Sequence, residues 1–336
     1  MNKSLSRTVH HGFVLLLLMA SGQFAVSDVF PGADVFPGAP AAPDGYSSEL
    51  TLKAAFAFGQ VKLIELPKSI PADITEYKDI EYANVDGHSL QLNLYVPKGI
   101  TKPTPCLVFI HGGGWSKGNK DDYLFYNLAF AKKGYITASL GYRLSKVAKF
   151  PAAVHDVKCG VRWLRAHAEK YHIDPEHLVA IGGSAGGHLA MMVGYSDDPQ
   201  LEGELGYADQ SSRVRAVVNF YGVADSTTQK AKDAHQVQGF IGGTYDEKPK
   251  MYHLNSPMEH LTADDPPTLT FHGSIDELVP VSQATRLHEK LDELGIDNQL
   301  DVLVGWPHTM DLQVDVNRRC QFIIGEFLKK YAPLPE

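Results

Sequence analysis

Cysteine is scarce in this 336-residue chain: only Cys106, Cys159 and Cys320 occur. The set is odd, widely spaced and without a zinc-type spacing, so neither a disulfide framework nor a structural zinc site is expected. Buried free thiols are expected, with a Cys159–Cys320 pair as the one disulfide left open. A block of basic charge is also missing. With 31 basic against 39 acidic residues the net charge is −8, which argues against a nucleic-acid partner. The N-terminal apolar stretch, Phe13 to Ala20, is too short to span a bilayer comfortably, so stable membrane insertion is not expected. The 15 histidines are scattered, and their number alone is weak evidence for a metal.

What remains is an ordinary soluble composition, 44% apolar and 21% charged, on a chain long enough for one large core. Residues 1–27 have the form of a signal peptide. Lys3 and Arg7 precede the apolar stretch, and Ala25-Val26-Ser27 supplies small residues for cleavage. Export to the periplasm or medium is the expectation. Residues 28–46 hold two copies of Asp-Val-Phe-Pro-Gly-Ala, from Asp28 and from Asp34, and then Pro- and Ala-rich sequence. This reads as a flexible leader. Residues 47–336 form a single domain on this reading.

Strands are expected at Glu76–Val85 and Ser89–Val96, joined by the hairpin signal Asp86-Gly87. The pattern then changes to short apolar strands alternating with amphipathic helices. Strands fall at Leu107–Ile110, Tyr135–Leu140, Leu178–Ile181, Val214–Phe220, Thr268–Phe271 and Leu300–Val304. Helices fall at Tyr123–Lys133, Ala152–Tyr171, 281–294 and 314–330. This alternation predicts an α/β fold: a mostly parallel sheet with helices on both faces and an antiparallel N-terminal edge. The irregular stretch 223–265, with a candidate helix at 233–240, is a candidate partial cap insertion.

Gly182-Gly183-Ser184-Ala185-Gly186 follows the strand Leu178–Ile181 and opens a helical run. A serine on such a turn is held clear of its own backbone, where it can reach a carbonyl carbon. Upstream, Phe109-Ile110-His111-Gly112-Gly113-Gly114-Trp115 places glycines directly after a strand. Backbone amides of Gly112 and Gly113, with that of Ala185, can converge on an oxyanion. Neither glycine run has the pattern of a dinucleotide or Walker phosphate loop, and no cofactor or catalytic metal is expected. His111 is expected to brace the glycine loop, and His188 to support the turn.

The acid and the base should follow the serine in that order. Asp276 lies just past the strand ending at His272-Gly273, and His308 lies in the loop after Leu300–Val304. Both therefore fall at strand C-termini, where open α/β sheets hold their sites. Glu277 and Asp225 are alternative acids. Trp115, Tyr221 and Trp306 are expected in the substrate pocket.

The combination resembles the α/β-hydrolase superfamily, in particular the bacterial feruloyl- and acetyl-xylan-esterase-like carboxylesterases related to hormone-sensitive-lipase-like esterases. The resemblance covers roughly residues 75–330. It rests on His111–Trp115 with Gly118 and Lys120, on Tyr142-Arg143-Leu144 and Phe150-Pro151-Ala152-Ala153 with Asp156, on Gly182–His188, and on Asp265-Pro266-Pro267 with Asp276, Val279 and Pro280. Gly183 stands where the lipase-like pattern has Asp, which favours the feruloyl- and acetyl-esterase-like branch. The resemblance implies a serine carboxylesterase acting through an acyl-enzyme on a small ester or an esterified polysaccharide. A serine aminopeptidase or amidase of the same fold is the enzymatic alternative. A non-catalytic carbohydrate-binding or adhesion protein is the alternative outside enzymes. The oligomeric state is not legible.

Overall fold

The computed structural model describes residues 36–336. The proposed signal peptide and the first copy of the repeat lie outside them. An eight-stranded sheet organises the described chain. Its strands are β1 (Ile74–Val85), β2 (His88–Pro97), β3 (Thr104–Ile110), β4 (Ile136–Leu140), β5 (Ile173–Gly183), β6 (Ala216–Phe220), β7 (Thr268–Gly273) and β8 (Asn298–Leu303), in the spatial order β1-β2-β4-β3-β5-β6-β7-β8. β1 pairs antiparallel with β2, and β2 with β4; every later pairing is parallel. The antiparallel edge and parallel body match the expected architecture. Asp86 and Gly87 both adopt positive φ, 51° and 82°, the backbone that a two-residue hairpin turn requires.

Alternation along each central strand divides the core into two layers. In β3, Cys106, Val108 and Ile110 face one layer, while Leu107 and Phe109 face the other. Both sets are fully buried, as a parallel strand covered on both sides must be. The first layer is closed by α3 (Ala152–Ala166), α4 (Ala185–Tyr195) and α5 (Ser282–Glu293). The second is closed by α2 (Leu124–Ala131) and α6 (Val314–Tyr331). In α5 the buried Ala284, Leu287 and Leu291 recur at helical spacing while charged residues face outward. Cys159 belongs to the first layer and Cys320 to the second, so the sheet separates them and all three cysteines are free.

Several bounds differ from expectation. The helix expected over Ala152–Tyr171 stops at Ala166, and a separate turn covers Ala168–Tyr171. β5 begins at Ile173, five residues earlier than its apolar run. The stretch 223–265 folds into four short helices, Gln229–Asp233, His235–Ile241, Pro249–Leu254 and Pro257–His260. Helix α1 (Glu49–Ala57) falls where no element is expected. It is capped by Ser48 and Thr51, each side chain taking the other's backbone N–H.

Residues 36–46 carry no helix or strand beyond a turn. They nonetheless make specific contacts. Tyr46 N–H donates to the Gly305 carbonyl at 2.7 Å, and Arg319 Nη1 donates to the Pro40 carbonyl at 2.7 Å. Phe36, Ala39 and Tyr46 pack against the second core layer.

Candidate active site

The site forms where the loops after β3, β5, β7 and β8 converge. Ser184 sits between β5 and α4 with φ 56° and ψ −121°, a backbone that an L-residue rarely adopts. Neighbouring glycine makes the turn sterically feasible. A Cβ on Gly186 would fall 2.0 Å from the Ile110 carbonyl oxygen, so the helix could not approach β3 with any larger residue there. Trp115, Tyr221 and Thr309 also have positive φ, and all three line the same cavity as Ser184. Four of the eight non-glycine residues with positive φ among the described residues thus line one cavity.

His308 Nε2 lies 2.9 Å from Ser184 Oγ, and His308 Nδ1 lies 2.6 Å from Asp276 Oδ2. Asp276 Oδ1 accepts the backbone N–H groups of Leu278 and Val279, both at 2.9 Å. Burial by itself would raise the Asp276 carboxyl, but hydrogen bonds from His272 and His308 outweigh it and hold the group at about 2. The carboxylate is therefore ionised wherever the imidazole needs it. Of the two alternative acids, Asp225 is occupied elsewhere, pairing with Arg286 at 2.7 Å and taking the Thr227 N–H and hydroxyl. Glu277 is exposed.

Gly112 and Gly113 line the cavity beside Ser184 and His308. Ala185 opens α4 directly after the serine, with its methyl group buried. Among the described residues, the amides of Gly112, Gly113 and Ala185 make no hydrogen bond within the protein. Amides left open at a cavity wall beside a helix N-terminus suit an anion. The expected brace is visible: His111 Nδ1 lies 2.9 Å from the Gly112 carbonyl, and the ring stacks on Tyr142 at 4.2 Å. Tyr142 in turn donates its hydroxyl to the His111 carbonyl at 2.9 Å.

His188 does not approach the reacting atoms. Its Nε2 donates to the Asn255 carbonyl at 2.9 Å, and its Nδ1 accepts Trp115 Nε1–H at 3.3 Å. Burial lowers its pKa to about 4, so the ring is neutral and these two bonds set its tautomer. Trp115 also stacks on Phe240 at 4.6 Å. One tryptophan thereby ties the glycine loop to α4 and to the insertion. Val223, Lys230, Ala231, Ala234, Gln236 and Val237 carry the insertion onto the cavity wall.

Of the three aromatic residues expected in the pocket, Trp115 and Tyr221 line the cavity, which measures about 580 Å³. Trp306 is not on its wall. Its indole N–H donates to the Pro43 carbonyl at 3.0 Å, and its ring meets Tyr46 edge-on at 5.6 Å. It lines a neighbouring cavity that also touches His308, and there it holds the N-terminal segment. The physical reason is a contact across more than 260 positions of sequence, which nothing local announces.

Two wall residues escaped the sequence reading, Tyr123 and Asp311. Tyr221 packs against the His308 ring at 4.5 Å and donates its hydroxyl to Asp311 Oδ1. Burial raises the Asp311 carboxyl, against the pull of that hydrogen bond. Tyr123 explains Gly183. A Cβ on Gly183 would lie 2.2 Å from the Tyr123 hydroxyl oxygen and 3.2 Å from that of Tyr221. The Tyr123 ring is fixed by Phe109, Phe125 and Tyr126, so it cannot swing aside. The space that an Asp would need is filled by phenol. Gly183→Ala is expected to lower kcat/KM by about 10-fold or more by displacing the elbow, since small misplacements cost that much. Adding Tyr123→Phe should restore part of the loss. A Gly183→Ala enzyme as active as the parent would remove this explanation.

Among the described residues no three His, Cys, Asp or Glu side chains converge to hold a metal ion, and no helix is long and apolar enough to cross a membrane.

Comparison with known proteins agrees with this geometry. The family model BD-FAE matches residues 92–291, more than half of the chain. Esterase LipC of Mycobacterium tuberculosis is 34% identical over 198 residues, 57% of this chain and 49% of LipC. The chain thus spans about half the length of that relative. Among solved structures, esterase 2 of Thermogutta terrifontis with propionate bound superposes with a TM-score of 0.69 at 26% identity, covering 81% of this chain and 100% of that one. A truncated carbohydrate esterase from gut microbiota superposes with a TM-score of 0.65 at 26% identity, covering 77% of this chain and 99% of that one. By its fold, its motifs and the extent of the family match, the chain belongs to the BD-FAE family of α/β-hydrolase-fold serine esterases.

Proposed function

We propose that the protein is a serine carboxylesterase that hydrolyses short-acyl esters, or carbohydrate-linked acetyl or feruloyl esters, outside the cytoplasm. The continuous hydrogen-bonded chain from Ser184 through His308 to Asp276 carries this reading. Short acyl groups are supported by the propionate and butyrate complexes of the Thermogutta terrifontis enzyme. Carbohydrate esters are supported by the gut-microbiota carbohydrate esterase. Export rests on the N-terminal segment of the sequence.

In acylation, His308 Nε2 takes the Ser184 hydroxyl proton as Oγ bonds to the ester carbon. The carbonyl oxygen becomes an oxyanion facing the amides of Gly112, Gly113 and Ala185. Collapse breaks the bond to the alcohol oxygen, which leaves with the proton from Nε2. Water then attacks the acyl-enzyme, giving its proton to the same nitrogen and returning Ser184 with release of the acid. Asp276 fixes the imidazole and stabilises its positive charge.

The test is a panel: p-nitrophenyl acetate, butyrate and octanoate, methyl ferulate, acetylated xylan and an aminoacyl amide. Turnover of the acetate and butyrate esters and no turnover of the amide is the expected result. Activity confined to octanoate would defeat the short-acyl reading. Activity on the amide alone would replace the esterase with an amidase.

A further inference from the structure

A second cavity, about 310 Å³, lies against the other side of the catalytic histidine. His308, Thr309 and Leu312 belong to the walls of both cavities, whereas Ser184 belongs only to the first. The far wall of the second is built by the N-terminal segment: Leu52 and Phe56 of α1, then Val61 and Leu63. That segment is fastened to the chain just past the histidine. Ile64 N–H donates to the Leu312 carbonyl at 2.8 Å, Val314 N–H donates to the Lys62 carbonyl at 3.0 Å, and Leu63 bridges Gln313. All of these wall residues fall outside the span matched by the family model, 92–291.

The lining is carbon-rich, with Trp306, Pro307 and Met310 beside the N-terminal residues, and its polar members other than Thr309 are engaged. Lys53 pairs with Glu49 at 2.9 Å, and Gln313 caps α6 by accepting the Asp315 and Val316 amides. Yet the apolar wall is open to solvent, with Phe56 55% and Leu63 47% exposed. Leu50, Phe58 and Leu66 are exposed in the same short stretch. Apolar side chains gathered in the open beside a catalytic group mark a contact surface for a ligand.

We propose that this cavity is the leaving-group subsite, and that it selects esters of apolar or aromatic alcohols. The inference rests on the esterase reading and narrows it, favouring apolar or aromatic alcohols over the carbohydrate alcohols that the gut-microbiota relative supports. His308 Nε2 must deliver its proton to the departing alcohol oxygen, so the alcohol lies on the histidine side of the scissile bond. Beyond that side the structure offers this cavity, whose walls are mostly apolar. The acyl group occupies the larger cavity around Ser184.

Acetate esters of different alcohols test the assignment, because all pass through the same acetyl-enzyme. Their kcat/KM values report acylation, whereas hydrolysis of the acetyl-enzyme is common to the series. In Phe56→Ala/Leu63→Ala, the ratio of kcat/KM for 1-naphthyl acetate to that for methyl acetate should fall about 10-fold, which corresponds to ~1.4 kcal/mol. The butyrate-to-acetate ratio with a fixed p-nitrophenol leaving group should stay as it is in the parent enzyme. Phe58→Ala is the control, since that 81%-exposed side chain lines neither cavity, and it should leave all ratios unchanged. An unaltered naphthyl-to-methyl ratio overturns the proposal. So does a change in the acyl ratio, which would make this the acyl site. A loss seen only with aggregated substrate overturns it in favour of surface docking. Failure of the parent enzyme to cleave any acetate ester would instead overturn the esterase reading, and this inference with it.

Discussion

Ser184→Ala should lose about 10⁴-fold or more in kcat/KM on p-nitrophenyl acetate. The same variant should no longer be labelled covalently by a fluorophosphonate. The substitution removes one oxygen atom and leaves the Cβ, so it tests the chemistry rather than the turn. Ser184 Oγ has one side-chain partner, His308 Nε2 at 2.9 Å, and no structural hydrogen bond depends on it. The backbone at φ 56° is held by the amide of Ser184 donating to the Phe220 carbonyl at 2.8 Å and by the tight approach of Gly186 to β3. Neither needs the hydroxyl, and Tm should stay within a few degrees of the parent. Residual rate above water is expected from the open amides of Gly112, Gly113 and Ala185, which still meet an oxyanion. Combining Ser184→Ala with His308→Ala should cost little more than either alone, because the two act as one unit. Substantial turnover by purified, labelling-negative Ser184→Ala protein would place the nucleophile elsewhere.

That the reacting residues were legible from sequence has a physical basis. Each sits immediately after an apolar strand, and strand C-termini in a parallel sheet all point to one edge. Ser184, Asp276 and His308 could therefore be assembled without knowing any distance. The same logic fails where a contact is made by a segment with no period. In α1 only Ala55 is buried, and the short Leu52, Ala55, Phe56 spacing is no strong helical signal without a face packed on the core. Its role depends on the backbone bonds of residues 62–64 to 312–314, about 250 positions away. Trp306 lies off the wall around Ser184 for a related reason: its indole N–H is bound to Pro43 and its ring lines the second cavity, beside the N-terminal segment. Asp311 gave no signal at all. A carboxyl among tyrosines is recognisable only once Tyr123 and Tyr126 at the start of α2 and Tyr221 after β6 are brought around it. The cysteine question was settled by topology, since α3 and α6 cover opposite faces of the sheet.

Asp276→Asn is expected to lower kcat/KM by roughly 10³- to 10⁴-fold, although the two side chains have nearly the same shape. Both oxygens of Asp276 face donors. Oδ1 takes the Leu278 and Val279 amides, while Oδ2 takes His308 Nδ1–H at 2.6 Å and lies 3.4 Å from His272 Nε2. An asparagine must turn its NH₂ towards one set. Facing His308, it makes Nδ1 an acceptor and leaves the proton on Nε2, where it blocks transfer from Ser184. Facing the loop, it sets donor against donor at Leu278 and Val279 and loosens the turn that carries residue 276. The ionised group also contributes to folding. Its folded pKa, about 2, lies below the ordinary 3.8, so its stabilisation is present above about pH 4 and is lost as pH falls towards 2. The parent should therefore lose Tm through that window more steeply than the variant, and the two curves should converge at the acid end. A folded Asp276→Asn enzyme within tenfold of parental kcat/KM would show that His308 is held by another group.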